Sequence, residues 1–409
     1  MTIEPSLEVL APAGDYAALC AAVDFGADAV YVGGKSFSMR TASANFDEAD
    51  LVRGVQYAHA RGVRVFLTCN TLPRCDEIEQ LPAYFGFVKD SGVDAVIVSD
   101  VGVLALARRT MPDMELHIST QAGIVNHAAA NELHALGARR VVLARELSLD
   151  EIRYIRAHTP PDLAIEVFVH GAMCVSFSGR CLLSSYIIGR DSNRGQCAQP
   201  CRWQYALMEE KRPNEFYPVF EDESGTYILN AKDLCMIEHI RELAEAGVTS
   251  LKIEGRAKSD YYVSVVTNAY RCAVDGYLAN PSGYQTESWL VDEVRKVSHR
   301  QYCTGFFFGQ PENAQYYETG GYIRRYDFVA VVEDWCDGIA SCTQRNKLCR
   351  GDEVEILMPR SRPIIITAEG LATPEGESIY STPHPMMPFT FDCKTPLCKG
   401  AIIRRKAAE

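Results

Sequence analysis

From its start the chain alternates short apolar runs of β-favouring residues with longer amphipathic stretches that close on glycine. Leu7–Leu10 is followed by a helical pattern over Tyr16–Phe25 closed by Gly26, and Asp28–Val32 by one over Phe46–Ala60 that ends before Gly62. Val63–Thr68, Asp94–Val98, Glu115–Ser119, Arg140–Leu143, Ala164–Val169 and Ser250–Ile253 continue the series. Parallel strands need crossover helices to cover them, and a strand buried on both faces reads as a nearly continuous apolar run. Eight such units predict an α/β fold closed as a TIM-barrel-like (β/α)8 barrel, with an open doubly wound sheet as the alternative. Ala11-Pro12-Ala13-Gly14 reads as a turn; with no G-x-G-x-x-G after the first strand, a dinucleotide site is not expected.

Past the last helical pattern, Asn280-Pro281-Ser282-Gly283 marks a boundary. From Tyr326 the pattern changes to short alternating runs, Phe328–Glu333, Gly338–Thr343, Glu353–Met358, Ile364–Ala368 and Gly400–Arg404, divided by Gly, Pro and charged turns. That describes a small antiparallel β-barrel. The expected division is a barrel domain over 1–280, with a cysteine-rich insertion over 170–233 after the seventh strand, a linker region over 281–325, and a β domain over 326–409. Arg404-Arg405-Lys406 reads as a solvated basic end.

A chain of 409 residues with net charge −12 has room for both domains, and its acidity argues against indiscriminate grip on polyanions while leaving space for a local basic groove. No run of eighteen apolar residues occurs, and Met1–Ser6 lacks a basic segment followed by an apolar core, so a cytoplasmic protein with no membrane partner is expected. An odd count of fifteen cysteines then points to reduced thiols and metal rather than a disulfide framework.

Five of those cysteines, Cys174, Cys181, Cys197, Cys201 and Cys235, fall in one stretch with Gly and small residues beside the sulfurs. The intervals are long and irregular and no C-x2-C knuckle occurs, which favours an iron–sulfur cluster over structural zinc. In a barrel the residues just past each strand build the site. Here they are polar: Asn70, Asp100, Ser119, Thr120, Gln121, Arg145, Glu146, His170, Glu254 and Arg256, with Arg40 able to reach inward. Arg145 and Arg256 each have a carboxylate beside them in sequence, Glu146 or Glu254, to hold the guanidinium, and guanidiniums grip carboxylates bidentately. Cys336, Cys342, Cys349, Cys393 and Cys398 read as small hydrophobes of the β domain.

The stretch Glu166-x-Phe168-x-x-Gly171-Ala172-Met173-Cys174-x4-Gly179-x-Cys181-x-Leu183-Ser184 resembles the signature of the collagenase-like peptidase family U32. Leu10–Gly14, Tyr31–Gly34, Arg194-Gly195-x-Cys197-x3-Cys201-Arg202, Lys232–Cys235 and Lys252–Arg256 extend the resemblance over most of residues 7–275. It implies an oxygen-independent hydroxylase with a 4Fe–4S cluster, served by the iron–sulfur assembly machinery and acting on tRNA uridine, ribosomal RNA cytidine or a quinone precursor. The length and the single β domain are similar to the tRNA-modifying branch, which implies tRNA as partner, 5-hydroxyuridine at the wobble position as product, and prephenate as co-substrate. Carried over, the cluster ligands are Cys174, Cys181, Cys197 and either Cys235 or Cys201. Cys235 is preferred because it opens a helix whose positive end favours a thiolate. Arg145, Glu254, Arg256 and His170 are the candidate catalytic residues; Arg40 and Asn70 are the candidate small-molecule contacts. Proteolysis is the competing activity. Neither H-E-x-x-H nor G-x-S-x-G is present, and its one candidate nucleophile–base pair is Cys174 with His170. A scaffold that docks RNA or an enzyme would not need arginines around an enclosed cavity.

Overall fold

The computed structural model describes residues 7–39, 45–174, 176, 181, 183–190, 196–200, 220–222, 225–227, 232–309 and 322–407. Seven parallel strands follow one another in sequence order: β1 (Glu8–Ala13), β2 (Ala29–Gly33), β3 (Arg64–Cys69), β4 (Ala95–Val98), β5 (Glu115–Ile118), β6 (Arg140–Val142) and β7 (Ala164–Ala172). After a hairpin of β8 (Phe220–Asp222) and β9 (Gly225–Tyr227), β10 (Asp233–Cys235) runs antiparallel along the end of β7. The eighth barrel strand, β11 (Ser250–Ile253), pairs in parallel with both β7 and β1 and closes the barrel. The short β12 (Tyr302–Cys303) lies outside β10 and parallel to it, so β10 and β12 form a ledge beside the barrel mouth.

The apolar runs close into a barrel because each strand has two faces to bury. Val9, Val30, Val32, Val65, Leu67, Val96 and Val98 point outward against the helices, while Leu10, Ala29, Tyr31, Phe66, Ala95 and Ile97 fill the interior on the β1–β4 side. Each fully buried Val, Leu or Phe side chain is worth roughly 1.5–3 kcal/mol. The opposite half of the interior is charged. Glu166 accepts from Lys252 Nζ at 2.7 Å and Arg140 Nη1 at 2.8 Å, and Arg140 Nη1 also meets Glu8 at 2.5 Å and Ser250 Oγ at 3.1 Å. Burial alone would push these carboxyls up, but Arg140 and Arg64 hold Glu8 down at about 2, and Lys252 and Arg140 lower Glu166.

Helix starts follow the local sequence. Asp15, Asp47, Asn126 and Ser259 each accept a backbone N–H at the head of a helix. Asp100, a candidate for the barrel mouth on sequence, caps the helix Val101–Thr110 in the same way, through Val103 N at 3.0 Å. Ala11–Ala13, expected in a turn, belong to β1.

The C-terminal sheet is antiparallel and open, a half-barrel of β13 (Tyr326–Cys336), β14 (Ile339–Gln344), β15 (Glu353–Leu357), β16 (Ile364–Thr367), β17 (Glu369–Ala372), β18 (Pro388–Asp392) and β19 (Ile402–Lys406), in the order β16-β15-β19-β13-β14-β18-β17. Residues 281–325, expected as a linker region, contribute Leu290, Val294, Val297 and Phe307 to the barrel's core. The tail is not a solvated basic end: Arg404 of β19 is fully buried and forks onto both oxygens of Glu293 at 2.7 Å, while its Nε and Nη2 reach Glu355 at 2.9 and 2.7 Å. A second seam joins the helix Asp260–Ala279 to the β domain, where Arg360 N donates to Asn268 Oδ1 at 2.6 Å and Asn268 Nδ2 donates to Ser361 O at 3.1 Å. Among the described residues no helix is long and apolar enough to cross a membrane.

Candidate active site at the mouth of the barrel

At the C-terminal ends of the strands a cavity of about 60 Å³ is enclosed by residues from nearly every barrel strand or its following loop. Of the residues singled out on sequence, Asn70, Ser119, Thr120, Gln121, Arg145, Glu254 and Arg256 line it; Tyr31, Thr68, Phe168 and Lys252 join them. Arg40 and Cys201 lie outside the described residues.

Arg256 is buried and ties the loop after β2 to β3: its Nη1 donates to Ser38 Oγ at 2.8 Å and Thr68 Oγ1 at 3.2 Å, and Thr68 Oγ1 in turn donates to Val32 O at 3.0 Å. This explains two of the glycines. A Cβ on Gly14 would collide with the Arg256 carbonyl, and one on Gly33 with the Arg256 guanidinium. Arg145 is held by a different partner from the one expected. Its Nη1 donates to Ala172 O at 2.8 Å and its guanidinium lies 4.2 Å from the Phe168 ring centre, so the end of β7, rather than the neighbouring Glu146, fixes it. Arg145 Nε is buried without a hydrogen-bond partner among the described residues.

Lys252 is the principal residue the sequence reading passed over. Its Nζ sits 4.4 Å from the Tyr31 ring centre and hydrogen-bonds Glu166, which links the interior ion network to the mouth. A lysine inside the apolar strand Ser250–Ile253 was the available signal, because a buried ammonium requires a partner. Tyr31 OH donates to Ile253 O at 2.9 Å and approaches Glu254 Oε2 at 3.5 Å. Asn70 bridges the loops, donating Nδ2 to Ser119 Oγ at 3.3 Å and accepting Met39 N at 3.3 Å. The mouth therefore presents three cations, Arg145, Lys252 and Arg256, with the carboxylate of Glu254 and a ring of neutral hydroxyl and amide groups.

His170 does not line this cavity. It is buried against Tyr262, Tyr270 and Tyr302, with Tyr270 OH 3.4 Å from Nδ1 and Tyr302 OH 3.3 Å from Nε2. Burial pushes its pKa down to about 3, so the ring is neutral at pH 7 and packs as a polar spacer. Cys174, by contrast, is exposed, and the described hydrogen-bond partners of His170 are the two tyrosines, so a Cys174–His170 nucleophile pair is not formed. Among the described residues no histidine lines the cavity, which leaves Ser119 and Thr120 without an imidazole base.

The candidate cluster ligands stand on three pieces of chain. Cys174 directly follows β7, Cys181 and Cys197 flank the helix Leu183–Ile188, and Cys235 ends β10, opposite His170. Cys235 thus belongs to a strand and not to a helix, and burial pushes its thiol up to about 12, so no positive helix end prevails there. Among the described residues no three of His, Cys, Asp and Glu lie close enough to share one metal ion. The donor chemistry does suit a cluster. The set is all cysteine, and Cys197 Sγ accepts Gln199 N–H at 3.3 Å, the kind of backbone donor that tunes cluster sulfur.

A closed (β/α)8 barrel with a cation-lined mouth at its C-terminal strand ends, a cysteine-bearing stretch after the seventh strand and an antiparallel half-barrel behind it defines the class. The chain belongs to peptidase family U32: residues 14–316 match Peptidase family U32, and residues 324–404 match the Peptidase family U32 C-terminal domain. It is 35% identical over 401 residues, 97% of this chain and 94% of the relative, to tRNA hydroxylation protein P1 of Bacillus subtilis. It is 36% identical to tRNA hydroxylation protein P of Escherichia coli, covering 92% of this chain and 91% of that one. It is also 36% identical to the Escherichia coli 23S rRNA 5-hydroxycytidine C2501 synthase, covering 87% of this chain and 53% of that one.

Proposed function

We propose that this chain hydroxylates a pyrimidine of RNA, namely uridine at the tRNA wobble position, with a 4Fe–4S cluster held by Cys174, Cys181, Cys197 and Cys235 and prephenate as the oxygen donor. The observation that carries the reading is similarity along both domains, over 97% of this chain and 94% of the relative, to a protein named for tRNA hydroxylation. The relative named for 23S rRNA cytidine hydroxylation favours pyrimidine hydroxylation as the common chemistry, and ribosomal RNA is the second substrate reading.

The mouth supports this reading through its charge. A small dicarboxylate entering it meets Arg145, whose Nε is an unused donor, and Arg256, which Ser38 and Thr68 hold in one orientation. Guanidiniums fixed this way bind carboxylates with little loss of side-chain entropy. Lys252 adds a third cation, and Glu166 beneath it holds the ammonium in place. Tyr31 and Phe168 add aromatic walls to the cavity, each with a cation over its ring. Cys174, Cys181, Cys197 and Cys235 would hold the cluster, which would supply one-electron chemistry; its delivery would call on the iron–sulfur assembly machinery.

The test is genetic. In cells lacking their own tRNA hydroxylation proteins, expression of this chain restores 5-hydroxyuridine, or its further-modified forms, to digested total tRNA analysed by mass spectrometry. Unchanged tRNA together with restored ribosomal RNA cytidine hydroxylation would transfer the activity to the second substrate. Unchanged RNA of both kinds would end the reading.

A further inference from the structure

Beside the mouth the structure carries a second hollow that the chemistry above does not use. Its volume is about 360 Å³ and it is lined by Arg295, His299, Gln301, Tyr302, Ile323 and Arg325, at the outer edge of the β10–β12 ledge. The floor is rigid. His299 and Tyr302 stack with ring centres 4.3 Å apart and planes 7° from parallel, Tyr302 OH donates to Val294 O at 2.7 Å, and the His299 and Ile323 backbones exchange hydrogen bonds.

The surrounding charge is one-sided. Among the described residues Lys258, Arg324 and Arg325 have no carboxylate within ion-pair distance; Lys258 Nζ and Arg324 Nε reach only Ser298, each at 3.4 Å. Arg295 has a loose, solvent-exposed contact with Asp292 at 3.8 Å. Tyr322 stands next to them, 38% exposed, with Lys258 Nζ 4.4 Å and the Arg300 guanidinium 4.9 Å from its ring centre. In a chain of net charge −12, four cations that share only the loose Asp292 contact repel one another unless a further anion joins them. Cations interleaved with an exposed aromatic ring are the equipment of a surface that tracks a nucleic-acid strand.

Position decides which strand. Neighbouring strands lie about 4.8 Å apart, so β12, two places from β7, is about 10 Å from the strand that carries Phe168 into the mouth. We propose that this ledge docks the phosphate backbone of the RNA substrate, with Arg295 and Arg325 gripping a phosphodiester so that the target base enters the barrel mouth. The proposal rests on the RNA-hydroxylase reading and adds where the RNA is held.

The test uses the full chain and an unmodified anticodon stem–loop carrying the wobble uridine. The double variant Arg295→Gln, Arg325→Gln should bind it about tenfold or more weakly near 0.1 M salt, with the slope of log affinity against log salt reduced by about 0.7, the loss of one single-strand phosphate contact. The control pair Arg345→Gln, Lys347→Gln, on the turn between β14 and β15, should keep wild-type affinity and slope. A double variant with wild-type circular dichroism and unfolding midpoint that still binds the RNA as wild type does would overturn the ledge while leaving the hydroxylase reading intact. If the wild type neither binds nor modifies the RNA, the hydroxylase reading fails and the ledge falls with it.

Discussion

Glu166→Gln is expected to destabilise the chain by about 3–5 kcal/mol, the scale for breaking a buried ion pair by removing one partner. Glu166 is fully buried between Lys252 Nζ and Arg140 Nη1, and the amide would leave both cations inside the barrel with one acceptor fewer. Chemical denaturation read by circular dichroism measures the loss as a lower midpoint. Adding Lys252→Met, which removes one orphaned charge, should recover part of it; a double variant less stable than Glu166→Gln alone would show that Lys252 contributes through packing instead. The pH dependence follows from the same cations. The folded-state pKa values of Glu8 and Glu166 lie below their unfolded value of 4.5, so their contribution is complete above pH 4.5 and is lost as pH falls, for Glu8 toward about 2. Wild type should therefore lose stability below pH 4.5 more steeply than Glu166→Gln, and equal slopes would remove Glu166 from the account.

The other large effect concerns the cluster. Anaerobically purified chain should be brown and carry about four iron and four sulfide per polypeptide. Cys174→Ser and Cys181→Ser should each abolish the colour and the iron, Cys235→Ser should do the same, and Cys201→Ser should leave both in place. Because ligation requires the thiolate, binding must release the thiol protons, and cluster retention should weaken as pH falls. Stoichiometric zinc without iron in an anaerobic preparation would contradict the assignment. Retention of iron in Cys235→Ser with loss in Cys201→Ser would exchange the fourth ligand.

The barrel was legible because strands buried on both faces leave an unmistakable trace. Asp28–Val32 and Val63–Thr68, for example, fall within one residue of the strands Ala29–Gly33 and Arg64–Cys69. The β domain was less so, since β17 contains Gly370 and β18 opens on Pro388, residues that normally punctuate strands. Glu293 and Arg404 form a buried fork across 111 residues, a pairing that no local pattern announces, and it turned an apparent linker and an apparent solvated tail into one seam. At the site, position past a strand end pointed to Asn70, Arg145 and Arg256, which line the mouth, but could not say which way a side chain turns. His170 turns outward into a tyrosine cage, and Arg145 is fixed by the Ala172 carbonyl and the Phe168 ring. Lys252 was hidden because its role depends on Glu166 from a neighbouring strand.

The most direct measurement is the reaction itself. Purified chain with its full iron content, held without oxygen, is given an unmodified tRNA with a wobble uridine, prephenate and a reductant, and the digested nucleosides are read by mass spectrometry. The account predicts 5-hydroxyuridine at the wobble position, lost when prephenate is omitted and when Cys174 is replaced by Ser. An unmodified uridine after complete incubation with iron-replete protein, alongside cleavage of peptide substrates by iron-free protein, would contradict it.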